Sequence, residues 1–113
     1  MEGLGGQDAL YGMGGDDFLY GNKGHDALYG GVGIDIIHAG WGDDRAVHGG
    51  TGGDVLYGES GEDTLYGGRG EDMVISTGDN AGDFVDCGAG VDAVRKGSDQ
   101  GLDRFVNCEK FFR

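Results

Sequence analysis

The chain has 113 residues, 28 of them glycine and none proline, and its 21 acidic and eight basic residues give a net charge of −13. This length suits one domain, and the charge argues against nucleic acid or an anionic membrane surface as partner, because both repel it. No apolar run approaches the roughly 18 residues of a membrane span. Residues 1–6 lack the basic and apolar stretches of a signal peptide, so we expect an export signal, if there is one, elsewhere in a longer parent chain.

A period of nine residues runs through most of the chain. Cut at residue 3, it gives eight repeats with glycine at the fourth position, aspartate at the sixth, a mostly apolar residue at the eighth and all five tyrosines at the ninth. In chain order these repeats are residues 3–11, 12–20, 21–29, 30–38, 39–47, 49–57, 58–66 and 67–75. The glycine-rich first six positions favour a turn with positive φ, and the last three favour a short strand.

A strand of three residues cannot bury a core alone, so the repeats must stack. Two repeats make one coil of 18 residues, and successive coils place their strands side by side in parallel. The eighth-position side chains then point inward as two facing apolar ladders. The predicted fold class is therefore all-β, a parallel solenoid with two nonapeptide repeats per coil. Its core is thin, so we expect something besides hydrophobic burial to stabilise it.

An insertion interrupts the period between the fifth and sixth repeats. His48 is one residue too many there, and Ala46 is the smallest of the eighth-position residues. A β-bulge that turns Val47 inward would explain both irregularities.

A second insertion, at residues 76–77, precedes two degenerate repeats. These repeats, residues 78–86 and 87–95, lose some glycines but keep the sixth-position aspartates Asp83 and Asp92. The repeat pattern therefore extends, in weakened form, to residue 95.

Stacking at 18 residues predicts that the sixth-position aspartates form two columns, one along each turn edge. The first column is Asp8, Asp26, Asp44 and Asp63, and the second is Asp17, Asp35, Asp54 and Asp72. Carboxylates stacked about 5 Å apart repel each other unless a cation lies between them. Calcium suits such a place because it accepts six to eight oxygen ligands and takes backbone carbonyls readily. Zinc would need His or Cys, which the repeats lack at any periodic position.

Two repeats match the pattern G-G-x-G-x-D-x-U-x closely. They read Gly-Gly-Val-Gly-Ile-Asp-Ile-Ile-His at 30–38 and Gly-Gly-Arg-Gly-Glu-Asp-Met-Val-Ile at 67–75. In these residues the chain resembles the bacterial hemolysin-type (RTX) calcium-binding repeat proteins. The resemblance covers residues 3–75, and more loosely the residues up to 95. It implies a right-handed parallel β-roll in which each calcium lies between one turn and the turn two repeats later.

The resemblance also implies which atoms bind calcium. The side-chain ligands are the eight aspartates of the two columns, and the carbonyl ligands come from the first and third positions of one turn and the second and fourth of the turn above. The residues carried over as backbone ligands are Gly3, Gly5, Gly12, Gly14, Gly21, Asn22, Lys23, Gly24, Gly30, Gly31, Val32, Gly33, Ala39, Gly40, Trp41, Gly42, Gly49, Gly50, Thr51, Gly52, Glu59, Gly61, Gly68 and Gly70. Several second positions depart from glycine, but only their carbonyls are used.

Eight repeats paired as n and n+2 give about six Ca²⁺ sites. The pairs are Asp8/Asp26, Asp26/Asp44, Asp44/Asp63, Asp17/Asp35, Asp35/Asp54 and Asp54/Asp72. Two further pairs, Asp63/Asp83 and Asp72/Asp92, would raise the number to eight. Six divalent ions would nearly neutralise the net charge of −13. Without them, self-repulsion should keep the chain expanded, so that folding and binding become one event.

The charge pattern changes near the end of the chain. Residues 95–113 hold five basic and three acidic residues, in contrast to the acidic chain before them. A solenoid needs its open end covered. We therefore expect residues 1–95 to form the roll and residues 96–113 to form a capping segment.

The only two cysteines, Cys87 and Cys108, fall at the start of the last degenerate repeat and in the expected cap. One interpretation is a pair of small buried thiols. The other is a disulfide, which would anchor the cap to the roll. By closing the loop between the two cysteines it would stabilise the fold by roughly 3 kcal/mol. A disulfide would also place the protein outside the cytosol.

Together these features predict a secreted bacterial module that folds on binding calcium and stabilises or carries a larger protein. The alternative is a calcium-scaffolded adhesion module that binds a cell-surface partner through outward tyrosine faces, with Trp41 also expected on an outward strand position. Ice binding would need flat rows of Thr or Asn, which the sequence lacks. No arrangement of nucleophile, base and oxyanion donors can be named, so no enzymatic activity is predicted.

Overall fold

A computed structural model describes residues 6, 9–44, 46–59, 61–76, 84–89, 93–96, 104–108 and 110–112. These residues form twelve short strands and no helix, hence none that could cross a membrane. The strands are β1 (Ala9–Tyr11), β2 (Phe18–Tyr20), β3 (Ala27–Tyr29), β4 (Ile36–His38), β5 (Ala46–His48), β6 (Val55–Tyr57), β7 (Thr64–Tyr66), β8 (Met73–Ser76), β9 (Phe84–Asp86), β10 (Ala93–Lys96), β11 (Arg104–Val106) and β12 (Lys110–Phe112).

The strands form two six-stranded parallel sheets. One sheet has the order β1-β3-β5-β7-β9-β11, and the other has the order β12-β10-β8-β6-β4-β2. Residues pair with the equivalent residues one coil later, as Leu10 does with Leu28. Each coil thus adds one strand to each sheet, which confirms the predicted parallel solenoid with two repeats per coil. Its right-handed sense stays a prediction.

The core lies between the two sheets and consists of the second residue of each strand from β2 to β10. In β2 to β7 the side chains on either side of this residue point outward, because successive residues of a strand alternate between faces. The fully buried core residues are Leu19, Leu28, Ile37, Val47, Leu56, Leu65, Val74, Val85 and Val94, together with Ala39 and Cys87 in the turns. The two predicted apolar ladders are therefore confirmed.

The extra residue of the first insertion lies elsewhere than predicted. Val47 is buried and pairs with Leu28 and Leu65, so it does turn inward. His48, however, is not the surplus residue, because it pairs with Tyr29 and ends β5 as the ninth residue of its repeat. The surplus residue is at position 45, outside the described residues. This register places valine in the core, where it buries more apolar surface than Ala46 would.

The degenerate repeats and the C-terminal residues continue both sheets. β9 pairs with β7 and β11, and β10 pairs with β8 and β12. Of the second predicted insertion, Ser76 ends β8, whereas residue 77 lies outside the described residues. β11 and β12 fall in the expected capping segment and add one further strand to each sheet. The capping role of that segment stays a prediction.

Rings at the ninth position stack into two columns on the outer faces. In one sheet the rings of Tyr11, Tyr29, His48 and Tyr66 follow each other at centroid distances of 4.9, 4.9 and 4.6 Å, nearly parallel. The other sheet carries a shorter stack of Tyr20, His38 and Tyr57. The tyrosines therefore face outward as expected.

Trp41 also faces outward, but from a turn rather than from a strand as predicted. It forms an isolated bridge with Lys23, whose Nζ lies 5.7 Å from the centroid of the Trp41 ring. The third position of the repeat, in a turn, and the ninth, in a strand, thus both present large side chains to solvent.

Candidate metal centre

The sixth-position aspartates stack along the two turn edges. The backbone N–H of one aspartate donates to Oδ1 of the aspartate one coil later, as Asp26 does to Asp44 at 2.7 Å and Asp35 to Asp54 at 2.8 Å. The same bond joins Asp17 to Asp35, Asp44 to Asp63 and Asp54 to Asp72. The two predicted columns are therefore present over the described residues. Asp8 lies outside them.

These carboxylates are buried, although they are charged groups in turns. Six aspartates are at most 3% exposed, and Asp17 in the first coil is half-buried. The six are Asp26, Asp35, Asp44, Asp54, Asp63 and Asp72. Burying an ionised carboxylate is costly unless a cation or hydrogen-bond donors compensate. Such a row of acids in the interior therefore requires protons or cations.

The two oxygens of these carboxylates differ in what they contact. In Asp35, Asp44 and Asp54, Oδ1 accepts the backbone hydrogen bond described above. The buried Oδ2 atoms of Asp17, Asp35, Asp44 and Asp54 accept no hydrogen bond. A buried acceptor without a donor calls for an explanation, and an ion is one. These four oxygens are thus available to a metal.

The electrostatics of the columns favour protonation when no cation compensates the charge. Burial raises the pKa of Asp44 to about 7, and repulsion by Asp26 adds to this effect. Burial also raises the pKa of Asp54 to about 7, and the nearby Asp72 and Asp35 raise it further. The pKa of Asp35 is raised for the same main reason, burial. A divalent cation among these oxygens would reverse this effect by favouring the ionised form.

Oδ2 atoms converge with backbone carbonyls at five glycines that hold the first position of their repeats. A Cβ added to Gly30 would stand 2.6 Å from Oδ2 of Asp35 and 2.6 Å from the carbonyl oxygen of Gly49, one coil later. A side chain at Gly30 would therefore displace one or both of these oxygens. The other residues at which a carboxylate and a carbonyl converge in this way are Gly12, Gly21, Gly49 and Gly67.

This oxygen set fits calcium. Carboxylate and carbonyl oxygens are the ligands that calcium prefers, and it tolerates irregular geometry. In the described residues no three His, Cys, Asp or Glu side chains come together as a metal site. A cation in these turns would therefore depend on the backbone for much of its coordination. Magnesium, which demands a strict octahedron, suits such a place less well.

The predicted carbonyl ligands differ in what they contact. Carbonyls of the second and third positions accept hydrogen bonds between coils: that of Asn22 from Trp41 N–H at 3.0 Å, and that of Trp41 from Gly24 N–H at 3.2 Å. Carbonyls of the first position face the carboxylates instead. A carbonyl has two lone pairs, so a hydrogen bond leaves room for a metal. The roles of all these carbonyls as calcium ligands stay predictions.

Positive φ explains why the second and fourth positions favour glycine. Gly33 has φ 116°, and a Cβ on it would collide with the carbonyl oxygen of Gly15 one coil earlier. Three second positions adopt the same left-handed conformation without glycine: Met13, Asn22 and Glu59, at φ 75°, 67° and 63°. These departures from the repeat pattern therefore keep its backbone.

Two contacts in the turns have no counterpart in the sequence analysis. The fifth-position carboxylates of Asp16 and Asp43 accept backbone N–H groups from the next coil, those of Ile34 and Glu62, at 2.9 and 2.7 Å. Their acidic character was visible, but only four of the eight repeats have an acidic residue at the fifth position, so no period pointed to it. Asp83 and Asp92, with their two additional pairs, lie outside the described residues.

Comparison with protein families identifies the repeat. A family model described as the RTX calcium-binding nonapeptide repeat matches the chain in four copies, at residues 2–37, 24–47, 38–74 and 48–85. These copies overlap and together span most of the chain. No curated protein and no solved structure matches it.

Proposed function

The chain belongs to the family of RTX calcium-binding nonapeptide repeat proteins, and we propose that it is a module that folds when it binds calcium outside the cell. The observation that carries this proposal is the pair of buried aspartate columns, whose Oδ2 atoms converge with first-position carbonyls. Such columns are unfavourable as ionised groups without a cation. Calcium would therefore be a condition of folding rather than an addition to a finished fold.

Charge supports the coupling of folding to calcium. The net charge of −13 opposes a compact chain, and the core contains only one inward residue per strand. About six Ca²⁺, or up to eight if Asp83 and Asp92 take part, would compensate most of that charge. The aspartates would supply carboxylate oxygens, and the turns would supply carbonyls. The proposal assigns no catalytic step to the module.

The cellular role follows from where calcium is abundant. A chain that is expanded at the low calcium of a bacterial cytosol and folded at extracellular calcium would suit a stabilising or carrier domain of a secreted protein. The Cys87–Cys108 disulfide supports the same location, because disulfides persist in oxidising compartments. The proposed partners are therefore calcium and a parent secreted protein.

Far-UV circular dichroism during a calcium titration tests the proposal. We expect a largely unfolded chain in EGTA and a cooperative gain of β signal with calcium. Magnesium at the same concentration should substitute poorly, and sodium chloride at matched ionic strength serves as the control for charge screening. A spectrum rich in β structure in EGTA, unchanged by calcium, would contradict the proposal.

A second candidate function is surface binding on the outer face of the sheet that contains β2, β4, β6 and β8. The first residues of its strands form an apolar outward column, with Phe18 53% and Met73 44% exposed. The first residues of the other sheet include the smaller Ala27 and Thr64, followed by Phe84 in β9. The stacked tyrosine rings cover each other's faces, so a partner would contact their edges. Sedimentation with whole cells or glycans, with and without EGTA, tests this; equal sedimentation of the wild type and the variant Phe18→Ser/Met73→Ser would contradict it.

A further inference from the structure

We propose that the Cys87–Cys108 disulfide sets the calcium affinity of the last site in the second column, at Asp72. This inference rests on the proposed function, because it assumes that the columns bind calcium. It goes beyond that function by making one site sensitive to the redox state of the chain. The reason is that Cys87 contributes its backbone to the site and its side chain to the disulfide.

The carbonyl of Cys87 occupies the same place as the carbonyls that face the earlier aspartates. A Cβ on Gly67 would stand 2.8 Å from Oδ2 of Asp72 and 2.6 Å from the carbonyl oxygen of Cys87. One coil earlier the corresponding atoms are Oδ2 of Asp54 and the carbonyl oxygen of Gly67, both at 2.7 Å from the equivalent point on Gly49. Cys87 thus continues the row of oxygens of the second column.

Cys87 also differs from the earlier members of that row. Glycine holds the first position at residues 12, 30, 49 and 67, and it leaves open the place where a Cβ would stand. At Cys87 that place holds a side chain, which is fully buried and bonded to Cys108 with a Cα–Cα distance of 5.1 Å. Its carbonyl can therefore serve the site at Asp72, while its side chain forms the disulfide.

In the described residues, the pairing of β9 with β11 and two nearby hydrogen bonds act together with the disulfide to hold the Cys87 turn. The N–H of Cys87 donates to the carbonyl of Val106 at 3.0 Å, and the side-chain amide of Asn107 donates to Oδ1 of Asp86 at 3.0 Å. The Cys87 turn follows β9, beyond which its sheet has one further strand in the described residues, β11. The turns that serve earlier sites of this column have two or more strands beyond them, so breaking the disulfide should free the Cys87 turn more than those turns.

The disulfide and the calcium site should therefore influence each other to the same extent. A dithiol reductant delivers two electrons and two protons to the Cys87–Cys108 bond, which breaks to two thiols while the dithiol closes to its own disulfide. If the intact bond raises calcium affinity at Asp72 on the order of tenfold, bound calcium must shift the thiol–disulfide equilibrium toward the bond by the same factor. Oxidising conditions and calcium would thus both favour the state with an intact disulfide and calcium bound at Asp72.

The thiol–disulfide equilibrium of the whole chain tests the inference. The protein is equilibrated with reduced and oxidised dithiothreitol, in saturating calcium or in EGTA, and the thiols are alkylated and counted by mass spectrometry. Calcium-driven folding of the roll as a whole also favours the bond, so the comparison of two variants is decisive. Calcium should shift the thiol–disulfide equilibrium about tenfold less in Asp72→Asn than in Asp17→Asn, which removes a carboxylate at the opposite end of the same column.

Circular dichroism of both variants in calcium shows whether each still folds. A second measurement does not depend on the redox buffer: in equilibrium dialysis, Cys87→Ser/Cys108→Ser should need about tenfold more calcium than the wild type to fill its last site. Equal calcium effects in Asp72→Asn and Asp17→Asn, or wild-type calcium binding by the double serine variant, would overturn the inference. Either result can occur while calcium still folds the wild type, so it leaves the proposed function intact.

Discussion

The first coil and the interior coils use the same repeat but differ in what surrounds it. Asp17 is half-buried, whereas Asp44 in the interior is fully buried. A Cβ on Gly15 would meet nothing within 4 Å, whereas one on Gly33 would meet the carbonyl oxygen of Gly15. Leu10, the inward residue of β1, is only partly buried. Residues at the same position of the repeat therefore contribute differently to stability in the first coil and in the interior coils.

The difference teaches that the coil on the N-terminal side determines what a repeat contributes. Oδ1 of Asp44 accepts its hydrogen bond from Asp26, one coil earlier. β1 and β2, in contrast, are the edge strands of their sheets. In a solenoid, stability is close to a sum of repeat terms and nearest-neighbour terms. Substitutions at equivalent positions in the first and interior coils therefore measure the neighbour term directly.

The largest difference is expected for the fourth-position glycines. Gly33→Ala and Gly15→Ala both place alanine at positive φ, at a cost of about 1–2 kcal/mol. Gly33→Ala also forces a methyl group into the backbone of the previous coil, which should cost about 1–3 kcal/mol more. Urea unfolding in saturating calcium measures both variants. Equal losses of stability would mean that the coils do not stack as closely as described.

The next largest difference between the first coil and the interior coils is expected for the calcium bound by their aspartates. By the proposed pairing, Asp44 serves two calcium sites, with Asp26 and Asp63, whereas Asp17 serves one, with Asp35. Asp44→Ala should lower the calcium stoichiometry by about two, raise the calcium midpoint and flatten the transition, because it interrupts the stack. Asp17→Ala should lower it by about one and keep cooperativity.

Calorimetric titration of the two aspartate variants side by side checks this. The same comparison with Asp8→Ala probes the start of the first column. Oδ1 of Asp44 already accepts a backbone hydrogen bond from Asp26, so bridging two ions would need both oxygens of Asp44 or a shared Oδ2. If Asp44→Ala and Asp17→Ala lose the same number of ions, each aspartate serves a single site.

The fold could be predicted from the sequence because the period itself encodes it. Eight aspartates and eight fourth-position glycines at nine-residue spacing define the coil, and one apolar residue per repeat defines the ladder. The inward position of Val47 was also predicted, and valine fills the core that Leu28 and Leu65 line. The place of the surplus residue was not, because the sequence alone does not show that His48 pairs with Tyr29 as the last residue of its strand.

The site could be predicted less completely than the fold. Spacing identified which aspartates stack, but not that Oδ1 would be occupied by the backbone while Oδ2 faces a first-position carbonyl. That division depends on the height and rotation of each turn relative to the next. The link between Cys87 and the site at Asp72 was hidden for a similar reason, because Cys87 acts through its carbonyl, which every residue has.

Acid should partly replace calcium in the interior coils. Burial raises the pKa of Asp44 and Asp54 to about 7, well above the value of 3.8 in the unfolded chain. The folded chain therefore binds more protons, and its stability without calcium is lost as pH rises from about 4 to about 7. In EGTA, β signal should increase when pH falls from 7.5 to 5.5, and Asp44→Asn/Asp54→Asn should show less of this dependence. A wild-type signal independent of pH would contradict the prediction.

The smallest effect is expected in the first coil, at a residue that departs from the repeat pattern. Met13 has φ 75° and is 72% exposed, so it bears the cost of a left-handed backbone with little burial in return. Met13→Gly should remove about 1–2 kcal/mol of strain and lose about 0.4–1 kcal/mol through the greater freedom of glycine in the unfolded chain. The net gain is a few tenths to about 1 kcal/mol, visible as a rise of a few degrees in the thermal midpoint in saturating calcium. Asn22→Gly is the matched control, because asparagine tolerates the left-handed region and its φ of 67° is nearly the same. An equal gain in both variants would show that backbone strain at position two does not depend on the residue there, and that the midpoint reports a general effect of glycine in these turns.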